Sequence, residues 1–454
     1  MKPRWFLAGT TVVLLLAGPF AVSVRAQTGV IEDLGTLGID SFARGVNASG
    51  QAAGHSLATA TRSLGFVTIG QDLQAIPTFG GNESSGRAIS DSGVVAGFAL
   101  DASGHWRAFR FDPAADSVPL DLGGLGGSYA FAYGINSAGA IVGYAQTADG
   151  GDEAFIWTGG SMQSLGSLGE GLSYAYGIND SNQVVGESFT ADGTFEAFLY
   201  SQGVMQRLGT LGGFDSAAHA INDSGAVAGW SQIAGFGTRA FRYTPGLGMQ
   251  ELPTLGGANA VGDAIAPDGT VVGYSITPLG HTHACLWTPA GDVVDLNDRI
   301  DPSLGWVLVA ATGINGNGQI VGYGQLNGAV RAFRLTLPIE AAPAAPTIHS
   351  VTATPSSLWP ANNKLVTVHV TVDATDASGA TPPCEITGAT SSEQASGDIV
   401  MAGPLELQLR ATRLGTGSGR TYRIDVACGS SPDALATSHV DVMVPKSRTG
   451  GARR

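Results

Sequence analysis

The sequence has few charged residues: they make up 13% of its 454 residues, whereas roughly 25% is typical of globular domains. It also lacks the 3.6-residue apolar spacing that paired helices need, which excludes a helical repeat array. Glycine, with 67 residues, is about twice as frequent as usual. This composition predicts many short β-strands joined by tight turns.

Sequence motifs of the common enzyme classes are missing as well. There is no Gly-x-Ser-x-Gly elbow, no His-Glu-x-x-His and no phosphate-binding loop. His281 and His283 form the closest histidine pair, but no Cys, His or carboxylate at a metal-ligand spacing accompanies them. We therefore expect a hydrogen-bonded or solvated pair there, no metal site and no cofactor.

Residues 1–26 have the features of a secretory signal peptide. Lys2 and Arg4 precede an apolar run that Pro19 interrupts, and Ala26 offers a cleavage point. An uncleaved membrane anchor is the alternative, which is disfavoured because the run is short for a spanning helix. No later segment has 18 consecutive apolar residues, so we expect a secreted, periplasmic or cell-surface protein with no membrane span after signal removal. Cleavage would change the formal charge from −14 to −17, and such an acidic chain is a poor partner for nucleic acid.

The pattern Ile-Asn-x-x-Gly-x-x-x-Gly recurs seven times, with starts 43, 46, 43, 43, 44 and 49 residues apart. This period is typical of propeller blades. Each copy holds four short apolar runs, and the Asn, Asp and Gly residues between two of them predict a hairpin turn because they tolerate positive φ. We expect the Asp residues of these turns to cap them rather than to bind calcium: Asp91, Asp180, Asp223 and Asp268. One apolar position should be core in six of the seven copies: Phe109, Phe155, Phe198, Phe241, Cys285 and Phe333.

The two ends of the repeat array complement each other. The array begins at residues 30–34 with an isolated apolar run of the kind that stands fourth in each copy. It ends at residues 331–337 with a run of the kind that stands third, and no fourth run follows. A closed ring would use the N-terminal strand to complete the last blade, hiding two sheet edges. The sequence therefore predicts an all-β fold, with a seven-bladed β-propeller of four-stranded blades over residues 27–338.

The repeats resemble those of the HAF family of probable extracellular repeat proteins. The family framework Asp-Leu-Gly-x-Leu-Gly-Gly is matched at residues 121–127, and Gly-Ile-Asn-x-x-Gly-x-Val-Val-Gly at residues 177–186. The resemblance covers roughly residues 30–336. The His-Ala-Phe signature itself is never complete here, since five copies have Arg or Glu in place of His and one has Cys in place of Phe. The resemblance implies an extracellular, propeller-like protein and no particular reaction.

The C-terminal quarter of the chain differs in composition. Small residues and prolines at 339–346 predict a linker, and alternating apolar and polar residues at 347–445 predict a small β-sandwich that resembles bacterial immunoglobulin-like modules. Cys384 and Cys428 both lie in this module, so we expect them to form a disulfide. Cys285 would then be a buried free thiol. The basic residues 446–454 are predicted to be disordered.

Three functions remain open at this point. The favoured one is a noncatalytic binding or scaffold protein that recognises an extracellular glycan or protein through propeller loops. The alternatives are a polysaccharide-acting hydrolase or lyase with carboxylates at the channel mouth, and a structural cell-surface component. Aromatic side chains beside the variable loops could stack on a ligand, and two carboxylates are the first to test: Phe42, Trp106, Tyr129, Tyr174, Phe214, Asp40 and Asp215.

Overall fold

The computed structural model describes residues 28–169, 171–338, 345–376, 379–393, 397–415, 419–429 and 435–446. The predicted signal peptide, nearly all of the predicted linker and nearly all of the predicted tail lie outside these residues. The chain forms two compact units, Met1–Pro338 and Ile339–Arg454. Strands dominate both units, and the predicted all-β fold is confirmed. Among the described residues, no helix is long and apolar enough to span a membrane.

The first unit consists of four-stranded antiparallel groups that follow one another along the chain. Five are separate sheets, and the other two are joined into an eight-stranded sheet by a single parallel bridge between Ser63 and Glu83. The strands are β1 (Val30–Asp33), β2 (Ser41–Val46), β3 (Ala52–Thr59), β4 (Arg62–Ile69), β5 (Asp72–Ile76), β6 (Gly80–Ile89), β7 (Val95–Asp101), β8 (Trp106–Phe111), β9 (Leu120–Asp121), β10 (Gly126–Ile135), β11 (Ile141–Thr147), β12 (Asp152–Thr158), β13 (Ser161–Gly166) and β14 (Ser173–Ile178).

They continue with β15 (Val184–Phe189), β16 (Phe195–Ser201), β17 (Val204–Gly209), β18 (Gly212–Ile221), β19 (Val227–Ile233), β20 (Thr238–Thr244), β21 (Gly248–Glu251), β22 (Ala260–Ile265), β23 (Val271–Ile276), β24 (Thr282–Trp287), β25 (Val293–Asp295), β26 (Trp306–Ile314), β27 (Gln319–Leu326) and β28 (Ala329–Thr336). Two 3-10 helices, Leu296–Arg299 and Pro302–Leu304, separate β25 from β26 and account for the longest repeat spacing.

The first strand of each group lies at the centre of the unit. Strands β2, β6, β10, β14, β18, β22 and β26 each contact the next, and β26 contacts β2 again. This closed cycle of contacts is the arrangement of a β-propeller, in which the innermost strands surround a central channel.

The N-terminal strand closes the cycle, as predicted. Strand β1 pairs antiparallel with β28, from Val30 opposite Thr336 to Asp33 opposite Phe333. The Arg334 side chain reaches across this pair and donates from Nε to Glu32 at 3.1 Å. The first and last segments of the array therefore share one sheet.

The core lies between neighbouring groups. The six side chains predicted to be core are all fully buried. Glycine on the second strand lets the first strand pass close by: a Cβ added to Gly186 would lie 1.8 Å from the carbonyl oxygen of Tyr174. Glycines at the equivalent position of the other copies would make the same clash: Gly54, Gly97, Gly143, Gly229, Gly273 and Gly322.

The Asn-Asp turns bond neighbouring groups together. Asn179 Oδ1 accepts from the Gln183 amide of its own turn, while its Nδ2 donates to the carbonyl of Asn222 in the next copy at 3.0 Å. In each copy, one residue of this turn has positive φ, as predicted: Gly50, Gly93, Gly139, Asn182, Gly225, Gly269 and Gly318. The capping prediction holds for Asp268, whose carboxylate accepts from the Thr270 amide.

The other three turn aspartates do not cap their own turns. Asp91, Asp180 and Asp223 accept backbone N–H groups from the turn of the preceding copy instead, at 2.8–3.0 Å. The cause is the close approach of successive turns around the channel, which brings each carboxylate within reach of its neighbour's backbone. The motif therefore joins the repeats as well as forming the turns.

The second unit is a pair of β-sheets around a common apolar core. One sheet has the order β29-β30-β33-β32 and the other β31-β34-β35, with β29 (Thr347–Thr354), β30 (Leu365–Thr375), β31 (Cys384–Ser391), β32 (Ile399–Gly403), β33 (Glu406–Arg410), β34 (Gly419–Cys428) and β35 (Ala436–Pro445). The predicted disulfide between Cys384 and Cys428 is confirmed and links paired positions of β31 and β34. Buried Arg420 donates to Asp398 at 2.7 Å.

Candidate functional site

Every innermost strand of the first unit contains a β-bulge at the same position. In β2, Ala43 pairs with Gly54 and Gly45 pairs with Ala53, so Arg44 is the extra residue. A bulge re-aims the extra side chain, which is why bulges are frequent beside functional sites. The same shift in the other six strands completes a set that we call the bulge ring: Arg44, Arg87, Tyr133, Tyr176, His219, Asp263 and Thr312.

All seven residues of the bulge ring line one central cavity of about 310 Å³. Tyr274 and Tyr323 from second strands, together with Ala310, complete the lining. Ligand pockets usually measure about 300–1,000 Å³, so this cavity could hold a group about as large as one sugar ring. Its wall is mostly polar and aromatic.

The residue after each bulge is Gly or Ala, and the structure explains why. A Cβ added to Gly177 would lie 3.0 Å from the carbonyl oxygen of His219 on the neighbouring strand. Small residues at this position therefore let the innermost strands meet closely. The bulge ring is held on a rigid, tightly packed set of strands rather than on loops.

Two hydrogen-bonded pairs occupy one side of the ring. Tyr176 donates its hydroxyl to Glu187 at 2.7 Å, and burial raises the pKa of both groups above their usual values. His219 Nδ1 lies 3.1 Å from Asp263 Oδ1. This side of the cavity offers hydroxyl, carboxylate and imidazole groups that can exchange hydrogen bonds with a polar ligand.

The opposite side of the ring is cationic. Arg44 and Arg87 come from the contacting strands β2 and β6. Burial lowers the pKa of Arg87 to about 10, with a further contribution from the charge of Arg44, and burial also lowers the pKa of Arg44. At this pKa the Arg87 guanidinium stays protonated at neutral pH.

A second cavity of about 310 Å³ lies at the Asn-Asp turns. Its polar lining residues include Asn136, Asn179 and Asn222, whose side chains are already bonded to neighbouring turns. The first cavity is the better candidate site because, among the described residues, neither of its arginines pairs with a carboxylate and Arg44 Nε has no hydrogen-bond partner.

Three of the aromatic residues predicted from sequence belong to one cluster. Trp106 and Tyr129 pack on Phe131 with ring centroids 5.7 and 5.8 Å apart, and Tyr174 packs on Tyr144 at 4.8 Å. Phe131 and Tyr144 are themselves 5.1 Å apart. Tyr133 of the bulge ring stacks on Tyr144 at 5.8 Å, so the cluster adjoins the cavity.

The other four residues predicted from sequence lie outside this aromatic cluster. Phe42 stacks on His55 at 4.9 Å, Phe214 is 75% exposed, and Asp215 accepts hydrogen bonds from the Phe195 amide and from Gln232. The Asp40 backbone carbonyl accepts from the Leu57 amide at 2.9 Å. None of the seven predicted residues is among those that line the bulge-ring cavity.

No group of three or more His, Cys, Asp or Glu residues able to hold a metal ion occurs in the part of the chain that the structure describes. His283 Nδ1 lies 2.6 Å from Asp295 Oδ2. Cys285 is buried, and its burial raises the pKa of the thiol well above its usual value, so it behaves as an apolar core residue.

The sequence matches no protein-family model and none of the curated proteins. Among solved structures, the chain is similar to TolB from Acinetobacter baumannii, with 13% identity, a TM-score of 0.37, and 61% of this chain and 77% of that chain covered. It is similar to a puromycin hydrolase, with 15% identity, a TM-score of 0.43, and coverage of 73% and 58%. It is also similar to YCF48 bound to D1 peptide, with 12% identity, a TM-score of 0.38, and coverage of 70% and 98%. The chain thus spans just over half the length of the hydrolase.

The bulge ring is the functional feature that sequence reasoning missed. Its residues stand two positions before the Ile-Asn pair of each copy, where flanking positions repeat but this one changes from Arg to Tyr, His, Asp or Thr. Chemical variation at one position of an otherwise regular repeat is the signal that could have revealed it.

Proposed function

We propose that the protein is an exported, noncatalytic binding protein, built as a seven-bladed β-propeller of four-stranded blades that carries an immunoglobulin-like module. The observation that carries the proposal is the bulge ring: seven strands of nearly uniform construction present side chains of five different types to one cavity. Packing alone would favour the same residue in every copy. Recognition of an asymmetric ligand accounts for the differences.

The ligand class that fits this cavity is an extracellular glycan. Sugars offer hydroxyl groups to polar side chains and flat C–H faces to aromatic rings. Tyr133 and Tyr176 supply both functions inside the ring, and the adjoining cluster that contains Trp106, Tyr129 and Tyr174 could extend the stacking surface. The exposed Phe214 is the candidate contact for a protein partner.

An exported location agrees with two features of the chain. The first 26 residues have the pattern of a signal peptide, and the disulfide between Cys384 and Cys428 suits an oxidising compartment. We place the protein outside the cytoplasm on this basis.

A polysaccharide-acting hydrolase or lyase is the second candidate. Sequence reasoning placed its carboxylates at Asp40 and Asp215, whereas the cavity brings Asp263 into its lining and has Glu187 in contact with Tyr176. Burial raises the pKa of Glu187, which is a property of general acids in glycosidases. This observation is sufficient reason to monitor turnover in every binding experiment.

The experiment is a glycan and peptide screen of the full mature chain, followed by calorimetry on the best ligand. Tyr133→Ala should weaken binding by about tenfold or more, because stacking on one aromatic ring is worth on the order of 1 kcal/mol and its hydroxyl is lost as well. Tyr243→Ala is the matched control, since this tyrosine lies on the third strand β20 and does not line the cavity. Equal losses in both variants would contradict a ligand site in the ring. Release of reducing ends from a bound polysaccharide would favour the enzyme instead.

A further inference from the structure

Arg44 and Arg87 are unusual among the arginines of the first unit. Within the described part of that unit, neither guanidinium lies within 4.0 Å of a carboxylate oxygen. Six other arginines of the unit do pair with carboxylates: Arg107, Arg110, Arg207, Arg239, Arg331 and Arg334. The chain has an excess of acidic residues, so carboxylates are not scarce. Of the five described arginines of the unit without such a partner, Arg44 and Arg87 are the two that line the cavity. Arg62 is exposed, and Arg242 donates to backbone carbonyls instead.

Two unpartnered polar atoms of the described residues lie in or beside the same cavity. Among the described residues, the buried side-chain nitrogen and oxygen atoms without a hydrogen-bond partner are Arg44 Nε and His55 Nδ1. Burial and the charges of Arg44 and Arg87 lower the pKa of His55 to about 3, so its ring is neutral at physiological pH. Buried polar groups are nearly always paired, and an unpaired one calls for an explanation.

Aromatic rings hold the arginines in place but do not replace an anion. The Arg87 guanidinium carbon lies 4.8 Å from the centroid of the Tyr133 ring, and that of Arg44 lies 5.8 Å from the centroid of Tyr323. Stacking on an aromatic face leaves the in-plane N–H groups of a guanidinium free to donate. The two half-buried guanidinium groups, which repel each other, are therefore preorganised to receive an acceptor.

The remaining polar groups of the ring suit a ligand with hydroxyl groups. Asp263, already bonded to His219, offers a second carboxylate oxygen, and Tyr274 and Tyr323 offer phenolic hydroxyls. Because Asp263 is itself an anion near both arginines, the site suits a single negative charge better than a doubly charged phosphate. A planar carboxylate also matches the fork of N–H groups that arginine presents.

We propose that the bulge-ring cavity binds an acidic sugar residue, with its carboxylate held between Arg44 and Arg87 and its hydroxyl groups bonded by Asp263, His219 and the tyrosines that line the cavity. This inference rests on the proposed function and specifies its ligand class. The carboxylate of a uronic acid carries the required single charge on a ring of about the size of the cavity. Neutral sugars leave both guanidinium groups without a negatively charged partner.

The test is calorimetric titration of the full mature chain with sodium glucuronate, D-glucose, N-acetylglycine and sodium sulfate. Glucuronate should bind at least tenfold more tightly than glucose, because a charge-assisted hydrogen bond is lost in the neutral sugar. Arg44→Met and Arg87→Met should each weaken glucuronate binding by at least tenfold and so remove most of the preference for glucuronate over glucose. Arg62→Met, at an exposed arginine of the strand β4, removes the same charge from the surface and should change neither affinity.

Thermal stability gives a readout that does not depend on ligand affinity. If the arginines serve a ligand, Arg87→Met without ligand should melt at the same temperature as the wild type or higher, because a buried unpaired charge is removed. Glucuronate should raise the melting temperature of the wild type but not that of Arg87→Met. A purely structural arginine would instead lower the melting temperature when it is replaced.

Three results would contradict different parts of this proposal. N-acetylglycine binding as tightly as glucuronate would overturn the sugar assignment and indicate a carboxylate of peptide origin. Sulfate binding more tightly than either would overturn the preference for a carboxylate. A glycan from the screen that binds wild type, Arg44→Met and Arg87→Met equally would overturn the anion site while leaving the binding role of the protein intact.

Discussion

His55 should make the stability of the first unit depend on pH. This side chain stacks on Phe42 beside the cavity, and Nδ1 has no hydrogen-bond partner. Burial, with the charges of Arg44 and Arg87, lowers its pKa in the folded protein from 6.5 to about 3. The unfolded chain therefore binds a proton between these two pH values that the folded chain does not bind, and stability is lost as the pH falls through this range.

The expected size of the effect follows from the two pKa values. A protonation difference of one proton changes the free energy of unfolding by ~1.4 kcal/mol per pH unit. Between pH 7 and pH 4, His55 should therefore cost roughly 2–4 kcal/mol, allowing for some solvent access through the cavity. This is a large part of the ~5–15 kcal/mol that stabilises a typical domain.

His55→Phe is the appropriate variant, because Phe98 occupies the equivalent position of the next repeat. Urea unfolding of both proteins should be followed by fluorescence at several pH values between 7 and 4. The variant should be at least as stable as the wild type at pH 7, and its advantage should grow as the pH falls. His281→Phe, at an exposed histidine, controls for the loss of a histidine. If the stability curves of wild type and His55→Phe run parallel, the assignment of a buried neutral imidazole is wrong.

Three further predictions concern the scaffold. Leu34→Ala, just after the closing strand, should destabilise the first unit by about 2–5 kcal/mol, because a buried side chain of the last interface is lost. Gly186→Ala should prevent folding or cost more than ~3 kcal/mol, since its Cβ would overlap a backbone oxygen. Replacing Cys384 and Cys428 by serine should destabilise the second unit by about 4 kcal/mol, as expected for a loop closed over 44 residues. Urea unfolding measures all three.

Each of these predictions has a control or a contrary result. Val30→Ala lies on the closing strand but is 65% exposed, so a loss equal to that of Leu34→Ala would mean that core burial at the closure is unimportant. Gly124→Ala meets no atom within 4 Å and should be nearly neutral. An unchanged unfolding midpoint of the second unit after removal of both cysteines would show that the disulfide does not constrain its unfolded state.

The turns and the core could be read from the sequence because they repeat. A residue with positive φ recurs at each of these turns, and Phe198 and its equivalents recur at one strand position. Because the same residue types return at the same positions, the copies together indicate which positions form turns and which form the core. The pairing of β1 with β28 could be inferred because one end of the array has a strand that the other end lacks.

The site could not be read in the same way. A bulge inserts one residue into a strand, and the sequence does not show that it falls at Arg44 rather than at either neighbour, since this depends on the pairing of β2 with β3. Nor does it show that Asp263 bonds His219, 44 residues away, and not Arg44. Trp106, Tyr129 and Tyr174 were identified by type, but their packing on shared neighbours depends on how adjacent blades meet.

The most direct measurement is a crystal structure of the mature chain grown with glucuronate. The account predicts one sugar inside the bulge ring, with carboxylate oxygens about 2.7–2.9 Å from guanidinium nitrogens of Arg44 and Arg87. Its ring hydroxyls should lie within hydrogen-bonding distance of Asp263 or His219. A sugar bound outside the ring, or a cavity that contains only water at saturating glucuronate, would contradict it.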